Sequence, residues 1–289
     1  MNFNQLPEKT KGILLIIISA LGFAIMSALV KLSGDLPSFQ KAFFRNLVAV
    51  FVAGWLVHKH KGSYTGSKEN WKLLFLRSFA GTLGVIFNFY AIDHLILSDA
   101  NMLNKLSPLF VIIFSYIFLK EKIHKEQVLA IIIAFLGSLF IIKPTFSLEA
   151  LPGISGILGA VTAGIAYTCV RALGKSEPYY TVVFVFSLLS CIMILPFAMF
   201  TYQPMEFIQL AYLLLAGVCA SISQFCLTLA YKYAPAKEIS IFDYTNVIFS
   251  AIISMILFNM LPDLLSIIGY AIIFAVAFYM YKFNQKVVD

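Results

Sequence analysis

Charge is what this sequence has least of. Only 12% of its 289 residues are Asp, Glu, Lys or Arg, against about 25% in ordinary soluble domains. Cysteine is sparse too. Cys169, Cys191, Cys219 and Cys226 all lie inside apolar runs and never as CxxC. They read as small packing residues, not as disulfides or metal ligands. No Asn-x-Ser/Thr sequon occurs, and no Walker-type phosphate loop, so the chain does not hydrolyse ATP itself. No nucleophile–base pair or metal-ligand cluster stands out. No catalytic residue, metal or cofactor is therefore assigned. His58, His60, His94 and His124 all fall in connecting segments, which argues against a histidine proton relay in the core. The net charge of +7 does not mark a nucleic-acid partner. Its basic residues form short clusters between apolar runs, with no basic stripe interleaved with aromatics.

Apolar residues are abundant. They make up 61% of the chain, Phe alone numbers 28, and the mean hydropathy is +0.90. No soluble core of this size could hide so much apolar surface, so lipid is the solvent for most of it. Ten runs approach the roughly 20 residues needed to cross a bilayer: 12–32, 38–57, 71–92, 97–119, 126–143, 153–173, 179–200, 207–230, 236–259 and 264–282. Breakers lie between them: Pro37, Pro144, Pro152, Pro178, Pro204, Pro235 and Pro262. With the N-terminus inside, the inner segments carry fifteen Lys and Arg. The outer segments carry three, Lys31, Lys41 and Lys143. The positive-inside rule thus places both termini in the cytoplasm. The first run reads as an uncleaved helix, because it is long and nine more follow.

A fixed offset recurs along the chain. "SALGFAIMSALVKLSG" (19–34) lies over "GAVTAGIAYTCVRALG" (159–174), with Lys31 on Arg171 and Gly34 on Gly174. Arg77, Gly81, Gly84 and Asn88 lie over Gly217, Ser221, Gln224 and Thr228 with the same spacing of 4, 3 and 4. "LSPLFVIIFSYIFL" (106–119) lies over "YTNVIFSAIISMIL" (244–257). Two repeats, 1–146 and 147–289, each hold five spans. Five is odd, so the second repeat is inverted. The expected fold is an all-α integral membrane protein of ten transmembrane helices in two inverted five-helix repeats, an architecture used by carriers.

The order of spans and three stretches resemble EamA-type members of the drug/metabolite transporter superfamily. The stretches are "SFQKAFFRNLVAVF", "LLFLRSFAGTLGVIFNFYAI" and "LSDANMLNKLSPLFVIIFSYIFLKEKI". The resemblance is strongest at Arg45, Asp99, Ala100, Pro108, Leu109, Phe110 and Glu121. It implies a ten-helix carrier for small metabolites with a central cavity lined largely by spans 3, 4, 8 and 9. Within the family, "AFFR" and the layout of span 9 are most similar to S-adenosylmethionine carriers. Two positions depart from the pattern so implied. Lys105 stands where a small or neutral polar residue is usual, and Asn259 where an acidic one often ends span 9.

An ionisable group at the bilayer centre costs about 2.5–3.5 kcal/mol on insertion scales, so it faces a cavity or a partner. Asn101, Asn104, Lys105 and Pro108 share one helical face, and Pro108 frees the carbonyl of Asn104. Asp243, Asn246 and Ser250 make a matching stripe in span 9. At an offset of 138, Lys105 superposes on Asp243. Counting about 1.5 Å per residue along straight helices puts the two at heights differing by about 12 Å. That count disfavours direct pairing and makes Arg77 the better-matched partner for Asp243. Arg45 and Asp99 lie at similar depth and read as a pair, either fixing helix packing or leaving Arg45 to hold an anionic group. The candidate substrate-binding residues are Asn88, Asn101, Asn104, Lys105, Tyr167, Gln224, Tyr244 and Asn246. Those for coupling or ion pairing are Arg45, Arg77, Asp99 and Asp243.

The expected function is a secondary carrier in the inner (plasma) membrane. Its partners are the lipid bilayer, a small-molecule substrate such as an amino acid or nucleoside-like compound, and a coupling proton or ion. Alternatives are an S-adenosylmethionine-type carrier or, in another class, a non-transporting scaffold or receptor. A scaffold would not need polar stripes on both span 4 and span 9.

Overall fold

The structure, a computed structural model, describes residues 6–120, 123–143, 150–173, 176–233 and 240–287, without the side chains of 228, 231, 232, 240, 241 and 284–287. The described residues form helices and connections, with no strand. The helices are α1 (Glu8–Leu32), α2 (Ser38–Lys59), α3 (Trp71–His94), α4 (Leu97–Asn104), α5 (Ser107–Leu119) and α6 (Lys125–Ile142). They continue with α7 (Leu151–Leu173), α8 (Tyr179–Phe200), α9 (Phe207–Tyr233), α10 (Thr245–Phe258) and α11 (Leu264–Val287). Among the described residues, nine spans are long and apolar enough to cross a membrane, counting Leu97–Leu119 as one. The remaining expected span, 236–259, holds a shorter apolar stretch, Phe242–Phe258. Pro37 and Pro178 immediately precede α2 and α8 in extended backbone. A proline there loses no helical bond. Pro144, Pro235, Gly174 and Glu121 lie outside the described residues, as does the Thr228 side chain.

The fourth span is broken. Pro108 has no N–H to offer the Asn104 carbonyl, and its ring crowds that carbonyl. α4 therefore stops at Asn104. A tight turn follows, with Leu106 N–H on the Leu103 carbonyl and Leu109 N–H on the Leu106 carbonyl. Lys105 and Leu106 lie between the two half-helices. The ninth expected span is described from Ser240 on, and it starts at a matching place. A 3-10 turn, Ser240–Tyr244, leads into α10.

α1 packs on α9, α3 on α7, α2 on α8 and α6 on α11. Further contacts join α2 to α9, α3 to α8, α5 to α7, α1 to α10 and α4 to α10. Small residues permit the close approaches. A Cβ added at Gly84 would lie 3.2 Å from Thr162 Oγ1 and 3.5 Å from the Gly159 carbonyl across the α3–α7 seam. Large apolar side chains such as Phe51, Trp55, Ile192 and Leu257 stay exposed on the outside of the bundle, as a lipid-facing surface requires.

Lys41, expected in an outer segment, is fully buried, and its Nζ donates to Asp93 Oδ1 at 2.5 Å. Lys31 is also satisfied, donating to the carbonyls of Ile92 and Leu95.

One loop contact carries a pH dependence. Glu177 Oε1 accepts hydrogen bonds from Ser67 N–H (2.7 Å), Ser67 Oγ (2.7 Å) and Asn70 Nδ2 (3.0 Å). Burial pushes its pKa up, but the bonds from Asn70 and Ser67 outweigh burial and hold it below the ordinary value of 4.5. The bonds favour the charged form. This stabilisation is complete above pH 4.5 and is lost as pH falls through the lower folded value. Glu177→Gln should flatten the acid side of the Tm–pH profile. Equal acid sensitivity in variant and parent would contradict this.

Candidate functional site

A cavity of about 180 Å³ lies in the middle of the bundle. α3 supplies the stripe read from the sequence: Arg77, Gly81, Gly84 and Asn88 all line it. Asn101, Asn104 and Lys105 come from the α4 side of the break, and Asp243 and Asn246 from the turn before α10 and its first residues. Arg45 (α2), Tyr167 (α7) and Gln224 (α9) complete the expected polar lining. Ser27, Met26 and Phe186 were not foreseen; they sit in apolar runs of α1 and α8 with nothing local to single them out.

Lys105 Nζ meets Asp243 Oδ2 at 2.5 Å, so the two form the ion pair that the depth count disfavoured. The count assumed straight helices. The fourth span breaks, and Lys105 and Asp243 each sit in a turn just before an α-helix, at equivalent places. Tyr244 closes the same junction, its hydroxyl donating to the Lys105 carbonyl at 3.2 Å and its ring edge-on to Phe274. Tyr244 is thus spent on joining the two turns and is not among the cavity-lining residues.

Two other expected pairings are corrected. Asp243 bonds Lys105, not Arg77; the Arg77 guanidinium lies over the Phe186 ring, 4.1 Å from its centroid. Gly81 makes room for it, since a Cβ there would lie 2.2 Å from Arg77 Nη1. Asp99 does not pair with Arg45. It is buried and accepts from the Tyr270 hydroxyl at 2.5 Å, on the α11 side. Two residues at about 100° each turn Asp99 some 200° away from Asn101, so it faces away from the cavity stripe. Arg45 Nη1 instead donates to Asn46 Oδ1 at 2.6 Å, and Asn46 Nδ2 donates to Ser190 Oγ at 2.7 Å.

Beneath the ion pair runs a buried polar chain. Ser27 Oγ donates to Asn101 Oδ1 (3.3 Å), Asn101 Nδ2 to Ser250 Oγ (2.7 Å), and Ser250 Oγ to the Asn246 carbonyl (2.7 Å). Asn246 Nδ2 donates to the Ala20 carbonyl (2.8 Å). These bonds tie α1, α4 and α10 together, so Asn101 and Asn246 each spend part of their side-chain hydrogen-bonding capacity on structure. The Asn88 side-chain oxygen is buried and has no hydrogen-bond partner among the described residues. Among the described residues, no group of His, Cys, Asp or Glu is arranged to hold a metal ion.

Comparison with known proteins gives this geometry a family. Residues 10–143 and 151–282 each match the EamA-like transporter family. The chain is 31% identical to a protein named pseudopaline exporter CntI of Pseudomonas aeruginosa, covering 89% of this chain and 91% of that protein. It is 26% identical to an uncharacterized transporter of Helicobacter pylori, covering 91% of each. With human solute carrier family 35 member G1 the identity is 26%, over 87% of this chain and 73% of that one. A solved crystal structure shares the fold at a TM-score of 0.66 and 15% identity, covering 96% of this chain and 99% of its own. These names point to transport, not to an enzyme. Matched across both halves, and with spans apolar enough to cross the bilayer many times, the chain belongs to the EamA-like transporter family.

Proposed function

We propose that this protein is a secondary carrier that moves a small polar or amphipathic metabolite through the central cavity by alternating access. It sits in the inner (plasma) membrane with both termini cytoplasmic. Residues 1–146 and 147–289 are inverted five-helix repeats that rock about the cavity. The carrying observation is the Lys105–Asp243 pair, which ties the turn before α5 to the turn before α10 beside a polar cavity.

Exchange symmetry supports the two repeats. Swapping the halves maps the α1–α9 packing onto α3–α7, and α2–α9 onto α3–α8. It also maps α5–α7 onto α1–α10, and leaves α2–α8 and α6–α11 in place. Lys120 caps α5 in a left-handed conformation, its N–H on the Ser115 carbonyl. Asn259 caps α10 the same way on Ser254.

Asn88, Asn104, Tyr167 and Gln224 are the proposed substrate contacts. Asp243 is the proposed coupling carboxylate: its protonation releases Lys105 and frees the two turns to separate. The name of the Pseudomonas relative makes export the first direction to test.

Alternating access has a direct readout. In a background with all four cysteines replaced, Asn104→Cys should react with a membrane-impermeant maleimide applied to either face of the membrane, and substrate should shift the balance. Labelling from one face only, under every condition, would overturn the proposal.

A further inference from the structure

Most membrane-embedded cations in this bundle are satisfied within the chain. Lys41 has Asp93, Lys105 has Asp243, and Lys31 holds two backbone carbonyls. Arg45 and Arg77 differ. Among the described residues, neither has a carboxylate partner, and the Nε of each is buried with no hydrogen-bond acceptor. Both line the central cavity, and both also line a smaller cavity beside it together with Phe186 and Gln224.

Their placement is built. The Arg77 guanidinium lies over the Phe186 ring, 4.1 Å from its centroid, in the space left by Gly81. A guanidinium so held keeps terminal N–H groups for a planar acceptor. Arg45 is oriented by the fully buried Asn46, itself anchored on Ser190. A buried charge without a counter-ion is costly, and neutralising this pair of arginines by deprotonation is not open to guanidinium. The lining carries three cations, Arg45, Arg77 and Lys105, against one carboxylate, Asp243. Two positive charges are left uncompensated.

Resting on the carrier reading above, we infer that the transported solute is a small organic anion, and that Arg45 and Arg77 bind its carboxylates. Guanidinium meets carboxylate edge-on through two parallel hydrogen bonds, which gives both strength and orientation. Asn88 lines the same cavity. The cavity of about 180 Å³ equals the liquid volume of about six waters, enough for a short dicarboxylate in this conformation. The same charge balance works against a sulfonium cation such as S-adenosylmethionine.

The test is thermal unfolding of the purified full-length protein with succinate and glutarate. Their neutral diamides, succinamide and glutaramide, and the dication putrescine serve as size-matched controls. The dicarboxylates should raise Tm and the controls should not. Arg45→Gln and Arg77→Gln should each weaken the response by about tenfold or more, the loss of one charged hydrogen-bonding partner. Arg45→Lys should retain part of it. Without ligand, both Gln variants should unfold at or above the parental temperature, because an unpaired buried charge has been removed. If the arginines are only structural, that temperature falls instead, and the inference is overturned. It is also overturned if no dicarboxylate shifts Tm, or if the diamides act as strongly. A neutral solute that binds and crosses proteoliposomes would sink the anion inference while leaving the carrier standing. Arginine-dependent dicarboxylate binding with no flux would do the reverse.

Discussion

Asp243→Asn is expected to reduce transport by about a hundredfold or more while lowering stability only modestly. The two effects have separate causes. Removing the carboxylate leaves the Lys105 ammonium beside the cavity with no counter-ion. Both side chains are mostly buried, at 13% and 26% exposure, but they touch the cavity. The cost to stability is therefore about 1–3 kcal/mol, below the range for a pair sealed in a dry core. The cost to transport is larger because the pair joins the two turns that the proposed mechanism must alternately join and part. Lys105→Met should give a similar loss of flux. The exchange Lys105→Asp with Asp243→Lys should recover part of it, since the pair is remade with reversed polarity. If Asp243 couples a proton, Asp243→Asn also removes the pH dependence of any residual flux. Parental flux and pH dependence in this variant would remove both roles.

Gly217→Val is expected to be the most destabilising single substitution at the α2–α9 seam. A Cβ at Gly217 would lie 2.8 Å from the Arg45 carbonyl and 2.7 Å from Val48 Cβ. The first neighbour is backbone and cannot rotate away. α2 must shift as a whole, at a cost of about 1–3 kcal/mol for an overpacked contact. Because Arg45 rides on that stretch of α2, its guanidinium leaves its place in the cavity as well. Thermal unfolding in detergent checks the first effect, and solute binding by the folded fraction checks the second. A parental Tm would show that the seam is looser than this geometry requires.

The outline of both fold and site could be read from the residues. The limits of eight spans fall within a few residues of the helices, because apolar runs and proline punctuation are local signals. The Arg77, Gly81, Gly84 and Asn88 stripe was visible because helical periodicity alone puts four such residues on one face. The partners of the charges were not visible. Which carboxylate meets Lys105 depends on the turns that precede α5 and α10, and a straight-helix count put Lys105 and Asp243 at heights about 12 Å apart. Pro108 announces the first turn. The second has no proline at the matching position, where Asn246 stands. The Asp99 error was avoidable: its angular position on the helix already turned it away from Asn101. That Tyr270 waits on that side is long-range information. Phe186 under Arg77 is of the same kind, with Gly81 four residues on as the one local hint.

The central claim is that a solute crosses through the cavity at the Lys105–Asp243 junction. Counterflow in proteoliposomes tests it most directly. Vesicles loaded with a solute that stabilises the protein should accumulate the labelled solute transiently from outside. The uptake should saturate, and it should vanish in Asp243→Asn and Lys105→Met. Counterflow unchanged in both variants, or linear leak with no exchange in the parent, would contradict the account.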